Sequence, residues 1–194
     1  MVHAKTTAFS APDFNTNSTI FVVAYEKEVN NSLEFAAYKA KFEACLSKVG
    51  FTVVKAQEEA QLTAIVSYGI DTGKTVTTSE PIFGQVGGGT SYTSGNAGGT
   101  FYSGTTYSMP TYGVVGVAQS SGQVYTRAIA LDIVKTASLK SGKLDKVYEA
   151  RLKSAGSCSV FAGVVDELLE AFFRGFPGDN GKVRSVEVPS KGGC

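Results

Sequence analysis

The segment from position 68 to 75, YGIDTGKT, contains residue types that bind phosphate in nucleotide-binding proteins. A phosphate-binding loop needs a glycine, four further residues, and then Gly-Lys-Ser or Gly-Lys-Thr. Counting back from Gly73 places that first glycine at position 68, which is occupied by Tyr68. The residues that follow, TVTTSEPIF, are poor helix formers, whereas a phosphate-binding loop opens into a helix. The segment is therefore not a nucleotide site, and residues 71–73 are predicted to form a hairpin turn.

Few side chains in the sequence could support catalysis or hold a metal. His3 is the only histidine, and the three cysteines form no Cys-x-x-Cys pair, so neither a metal site nor a histidine-activated nucleophile is predicted. The best acid candidates are Asp132 on a predicted strand and Asp166 and Glu167 on the last predicted helix. Each is better interpreted as a surface carboxylate, in water or in an ion pair. We therefore expect no catalytic residue, no metal and no cofactor.

The cysteines allow one disulfide to be considered. Cys45 lies on the apolar face of the first predicted helix, and Cys158 lies at the start of the last one. In an oxidising compartment these two residues could form a bridge, with Cys194 as the expected free thiol. The alternative is that Cys45 and Cys158 are two separate core residues, because parallel helices would hold the two positions apart.

The composition excludes several classes of partner. The chain has 194 residues, of which 43% are hydrophobic and 18% are charged, and its formal net charge is +1. This length is enough for one domain with a sizeable core. A charge so close to zero provides no strong field to attract nucleic acid or an anionic membrane. No apolar run approaches the roughly 20 residues of a membrane span, and the first 14 residues contain no apolar segment typical of a signal peptide.

The pattern of apolar residues predicts the order strand, helix, a run of antiparallel strands, then a helix. In the first helix, Asn31 and Glu34 resemble a capping box, and Gly50 is a suitable C-terminal cap. Residues 120–123 are predicted to form a second hairpin turn. A wide apolar stripe predicts a helix near residues 159–173, which Ser157 or Ser159 could cap. We therefore predict an α+β fold, with two layers in which a mostly antiparallel sheet carries two amphipathic helices on one face.

Residues 84–104 contain eight glycines in 21 positions. Ordering this stretch costs about 20–40 kcal/mol of backbone entropy at 1–2 kcal/mol per residue, which its few large apolar side chains cannot supply alone. It is predicted to be a hairpin loop, either as a solvent-exposed tip or as an interaction surface. For an interaction surface, we expect Tyr92, Phe101 and Tyr102 to be the anchors.

The domain organisation follows from these elements. Residues 1–12 are predicted to be a flexible N-terminal segment, residues 13–189 a single α+β domain, and residues 190–194 a tail. Within the tail region, KVRSVEVPSKGGC could add a short edge strand.

An ordered set of short motifs gives the sequence a family resemblance. Asp13-Phe14 precedes the first predicted strand, Gly50-Phe51 follows the first helix, ALDIV at 130–134 lies on a strand, and Phe176-Pro177 follows the last helix. In this order the chain resembles the bacterial envelope lipoproteins built on domain of unknown function 4136, over most of residues 13–178. The family often has a tryptophan before the last helix, whereas this chain has none. No lipobox cysteine is visible either.

The resemblance implies a location in the periplasm or at the outer membrane of a Gram-negative envelope, and no known reaction. It implies membrane attachment only through a lipid anchor. We expect a non-catalytic domain that acts by protein binding or assembly, with an unknown envelope protein or a second copy as partner. The alternatives are a structural subunit that pairs through Gly/Tyr-rich strands, and, less favoured, an uncharacterised hydrolase.

Overall fold

The computed structural model describes residues 1–141 and 143–194. The protein is a mixed α/β chain built mostly of strands, with an open and mostly antiparallel sheet. The strands, in chain order, are β1 (Val2–Ser10), β2 (Thr19–Ala24), β3 (Thr52–Val53), β4 (Leu62–Ile70), β5 (Lys74–Ala97), β6 (Thr100–Lys135), β7 (Lys146–Gly156) and β8 (Val183–Val188). The α-helices are α1 (Leu33–Lys48) and α2 (Val165–Phe173).

The chain divides into two compact units. The first comprises Met1–Lys74 and Gln123–Cys194, and the second comprises Thr75–Gly122. We call the first unit the globular unit and the second unit the ribbon, because the ribbon consists of paired segments of β5 and β6. The predicted single domain of 13–189 thus includes a segment that forms a unit of its own.

The strand order of the sheet is β3-β2-β4-β6-β7-β1-β8, and β5 also pairs with β6. β2 runs parallel to both β3 and β4. The pairs that β6 forms with β4 and with β7 are antiparallel, as are those that β1 forms with β7 and with β8. The predicted edge strand near the C-terminus is confirmed as β8, whose sheet partner is β1.

The N-terminus differs from the prediction. Residues 1–12 were expected to be flexible, but β1 lies between β7 and β8, with Ala4 opposite both Ser154 and Val186. Alternate residues of β1 are buried, from Val2 to Ala8. These small side chains carry a weak hydrophobic signal in the sequence, and two neighbouring strands are needed to cover them.

Helix α1 forms where the first helix is predicted, with one correction at its start. The N-cap is Ser32 rather than Asn31, and its Oγ accepts a hydrogen bond from the Phe35 amide at 3.0 Å. At the other end, Gly50 has a φ of +111°, and its amide donates to the Ser47 carbonyl while Phe51 N donates to Leu46 O. This pair of bonds is the Schellman motif, which confirms the predicted glycine cap.

Helix α2 is shorter than its apolar stripe predicts. A 3₁₀ turn at Phe161–Gly163 precedes it, and Val164 is the N-cap without a side-chain hydrogen bond, so neither Ser157 nor Ser159 caps the helix. The chain leaves the helix at Gly175, where φ is +71°.

One face of the sheet is buried within the globular unit. In β1, β2, β4, β6, β7 and β8, alternate residues join a single hydrophobic cluster that also contains side chains of α1 and α2. The strand residues of this cluster include Val2, Ala4, Ala8, Ile20, Val22, Ala24, Leu62, Ala64, Val66, Ile129, Leu131, Ile133, Tyr148, Ala150, Leu152, Val186 and Val188. The period of two is the signature of a sheet with one covered face.

The hairpin turns predicted at residues 71–73 and 120–123 are both wrong. β4 pairs with β2 and β6, and not with β5, so residues 71–73 do not join two paired strands. β6 continues without a break through residues 120–123. The chain reverses at Gly98 and Gly99, with φ values of +61° and +88°, which lie within the hairpin loop predicted for residues 84–104. Two consecutive positive φ values are what a two-residue type I′ hairpin turn requires.

Candidate functional site

The ribbon exposes an unusual amount of apolar surface. None of its residues is buried, and it holds thirteen of the twenty exposed large apolar side chains of the described residues. They are Val76, Ile82, Phe83, Val86, Tyr92, Phe101, Tyr102, Tyr107, Met109, Tyr112, Val114, Val115 and Val117. Large exposed apolar patches mark interaction sites, so the ribbon is the candidate functional site of this protein.

The ribbon is also nearly free of charge. Glu80 is the one charged residue among its 48 positions, and it contains no lysine, arginine or histidine. Solvated surfaces normally intersperse both signs of charge. This depletion is visible in the sequence from residue 75 to 122. It delimits the ribbon more completely than the glycine-rich stretch of 84–104 does.

The three predicted anchors lie on the ribbon but do not share a face. Phe101 and Tyr102 are neighbours in β6, so their side chains point to opposite faces. The Tyr102 ring covers Gly95, where an added Cβ would lie 2.5 Å from Tyr102 Cζ. Tyr92 is three residues from Gly95, so it belongs to the Phe101 face. Exposure follows this division: 82% for Tyr92 and 70% for Phe101, but 53% for Tyr102.

Valines and glycines pack across the two strands of the ribbon. A Cβ placed on Gly84 would lie 2.9 Å from a methyl carbon of Val115, and one placed on Gly113 would lie 3.3 Å from the methyls of Val86. Each valine therefore lies over a glycine of the opposite strand, on one face of the ribbon. This fit explains Gly84, because a larger residue there would displace Val115, whereas at Gly113 the Val86 methyls would have to shift by only a few tenths of an ångström.

The segment that resembles a phosphate-binding loop has another structural role. Asp71 Oδ1 accepts hydrogen bonds from the amides of Gly73 at 3.0 Å and Thr126 at 2.9 Å. These bonds, led by the one from Thr126, hold the pKa of the Asp71 carboxyl below its usual value. A Cβ on Gly73 would meet the Tyr125 ring at 2.7 Å. The Asp71 carboxylate thus accepts hydrogen bonds from backbone amides near this bend. In a phosphate-binding loop, such amides would instead donate to the phosphate of the ligand.

The three candidate acids are all engaged with other groups. Asp132 forms ion pairs with Lys146 at 2.9 Å and with Arg151. Burial raises its pKa, but the hydrogen bonds and charges of these two cations outweigh burial and leave the pKa lowered. Asp166 pairs with Lys41 of α1. Glu167 is buried, and its Oε1 accepts from the backbone amide of Lys191 at 2.7 Å.

The disulfide differs from the one considered from the sequence. Cys158 is bonded to Cys194, with their Cα atoms 5.7 Å apart, and Cys45 is the free cysteine. Cys45 lines a groove between α1 and α2 with a volume of about 520 Å³, together with Asp166 and Leu169. Its burial there raises the pKa of the thiol. Because Cys158 is bonded to Cys194, neither the Cys45–Cys158 bridge nor the free thiol expected at Cys194 is correct.

The neighbourhood of Cys158 is fixed by a buried arginine. Arg127 is 2% exposed, and its Nη2 donates to the Cys158 carbonyl at 3.0 Å. Burial lowers the pKa of Arg127. A Cβ on Gly156 would lie 2.9 Å from Nη1, so this guanidinium also explains that glycine. Arg127 thus anchors the backbone to which the C-terminal tail is bonded.

The described residues, all except position 142, contain no group of three or more histidine, cysteine, aspartate or glutamate side chains that could hold a metal. In the same part of the chain, no helix is both long and apolar enough to span a membrane.

Comparison with known proteins gave no match, either to a protein-family model or to a curated protein.

Proposed function

We propose that this protein acts without catalysis, by binding or assembling with other protein chains through the ribbon. The observation that carries the proposal is the combination of thirteen exposed large apolar side chains and a single charge in 48 residues. A two-stranded hairpin alone is marginally stable in water. A partner that covers one face or edge of the ribbon would add both buried area and backbone hydrogen bonds.

The anchors of such a contact are Tyr92 and Phe101, because they share one face and are the more exposed of the predicted aromatic residues. Aromatic side chains commonly dominate the binding energy of protein interfaces, at about 2 kcal/mol or more on truncation. Tyr102 contributes less, since its ring already covers Gly95.

A scaffold role for the globular unit accompanies this proposal. We propose that α1 and α2 cover the same face of the sheet as a second layer, which leaves the other face to solvent. The shared hydrophobic cluster of helix and strand residues supports this arrangement. The engagement of Asp132, Asp166 and Glu167 in ion pairs and hydrogen bonds favours a structural role for these acids over a hydrolytic one.

We propose a location in the periplasm or at the outer membrane. The motif resemblance to envelope lipoproteins supports it, and so does the Cys158–Cys194 disulfide, because such bonds persist in oxidising compartments. Attachment to a membrane would be through a lipid anchor.

Site-specific photo-crosslinking in cells tests the interaction surface. A benzophenone amino acid is placed at Tyr92 or Phe101 in the ribbon, and at Leu33, which is 91% exposed in the globular unit, as the control. We expect protein adducts from the two ribbon positions and none above background from Leu33. Adduct yields at Tyr92 and Phe101 no higher than at Leu33 would refute the proposal.

A further inference from the structure

We infer that the partner of the ribbon is the ribbon of a second copy of this chain, added edge to edge so that β5 of one copy pairs with β6 of the next. This inference rests on the proposed function, because it names the partner of the same surface.

The ribbon has two open edges of equal length. Within the described residues, β5 pairs with β6 alone, and β6 between residues 100 and 122 pairs with β5. Each strand therefore has a row of backbone donors and acceptors on its outer side, over more than 20 residues. Such edges are templates for the addition of another strand. A second copy offers an edge of the same length.

The low charge of the ribbon favours a second copy of the ribbon as its partner. Identical copies carry identical charges, so a charged surface repels itself when it stacks. Here Glu80 is the one charge to be accommodated. Sheets that avoid edge pairing place lysines on their edges, and this ribbon has none. The prolines at 81 and 110 remove one donor from each strand and leave the remaining donors in place.

The strand directions favour side-by-side copies in the same orientation, with β6 of one against β5 of the next, over a two-fold symmetric contact. We call the first arrangement head-to-tail. β5 runs towards the Gly98-Gly99 turn and β6 runs away from it. When copies stand side by side with their turns pointing the same way, β5 of one copy is antiparallel to β6 of the next. Every inner copy then has both edges paired. A two-fold β5–β5 contact would pair one edge of each copy, leave the other open, and point the turns in opposite directions.

Light scattering and cysteine cross-linking of the purified full chain test the inference. The background is Cys45→Ala, which keeps the Cys158–Cys194 bond. Ser79→Cys reports on β5, and Ser120→Cys reports on β6; both positions are exposed. A short bismaleimide is added to each variant alone and to an equal mixture. We expect a mass above 20.3 kDa for the unmodified chain and cross-linked dimers in the mixture only. Replacing residues 75–122 with Asn-Gly should abolish the association.

Each other outcome overturns a defined part of the inference. Dimers from one cysteine variant alone would indicate a two-fold contact and refute the head-to-tail geometry. A chain that stays at 20.3 kDa at all concentrations, while photo-crosslinking at Tyr92 still captures another protein, would refute the second copy and leave the proposed function standing. Association that persists without residues 75–122 would refute both.

Discussion

The Cys158–Cys194 bond should be the largest single covalent contribution to the stability of the globular unit. It closes a loop with a sequence separation of 36, which contains α2 and β8. The perturbation is Cys194→Ser, which opens the loop and changes one atom at the C-terminal residue. We expect the native fold to persist, because β8 still pairs with β1 and the core contains no residue after Val188.

The magnitude follows from the entropy of the unfolded chain. For a loop of 36 residues, the chain-entropy relation gives about 13 cal/mol/K, or about 4 kcal/mol at 25 °C. For a chain of this length, each kcal/mol shifts the melting temperature by about 2–4 °C, so the expected decrease is about 8–16 °C. The tail also positions the Lys191 amide against Glu167, so the variant loses this buried hydrogen bond when the tail detaches.

The assay is urea unfolding followed by circular dichroism, with intact mass before and after alkylation to count free thiols. Cys158→Ser should match Cys194→Ser, because each opens the same loop, and Cys45→Ser is the control that leaves the bridge intact. The oxidised native chain should show one free thiol. Two results would refute the reasoning: three free thiols in protein purified under oxidising conditions, or a Cys194→Ser midpoint equal to that of the parent.

Four further predictions concern the core, the ribbon, the ion pairs of Asp132 and the segment around Gly73. Phe42→Ala, at a fully buried position of α1, should lower the free energy of unfolding by about 3–5 kcal/mol. Replacing residues 75–122 with Asn-Gly should change the melting temperature by less than about 4 °C, since no buried residue is lost. A steep decrease in the melting temperature of this second variant would contradict the division into two units. The lowered pKa of Asp132 contributes stability above its ordinary value of 3.8, and this contribution is lost as pH falls through the folded-state pKa. Asp132→Asn should therefore have a lower free energy of unfolding than the parent at pH 7 and the same one below the folded-state pKa of Asp132. A difference between the two proteins that stays constant over this pH range would contradict a contribution from the ion pairs. Calorimetric titration with ATP or GTP and magnesium should show no binding, and a signal that disappears in Lys74→Ala would contradict this.

Local sequence determined the elements whose signals lie within one stretch of chain. The spacing of Phe35, Tyr38, Phe42 and Leu46 fixes the buried face of α1, and Gly50 ends it, because only a glycine readily adopts the φ that the cap requires. The alternation of buried and exposed residues in β7, from Ala150 to Ser154, likewise lies within one stretch of chain. The spacing around Gly73 excluded a phosphate-binding loop without any knowledge of the fold.

The tertiary structure decided which segments are partners. The buried residues of β1, from Val2 to Ala8, have small side chains, and this stretch becomes a strand only because β7 and β8 flank it. β4 precedes β5 in sequence but pairs with β2 and β6, so adjacency in the chain gave the wrong hairpin. Cys158 could have bonded to either of two cysteines, and the choice depends on where the tail crosses the Phe161–Gly163 turn. Pairing of strands and of cysteines joins residues far apart in sequence, and its energy comes from contacts that no local pattern encodes.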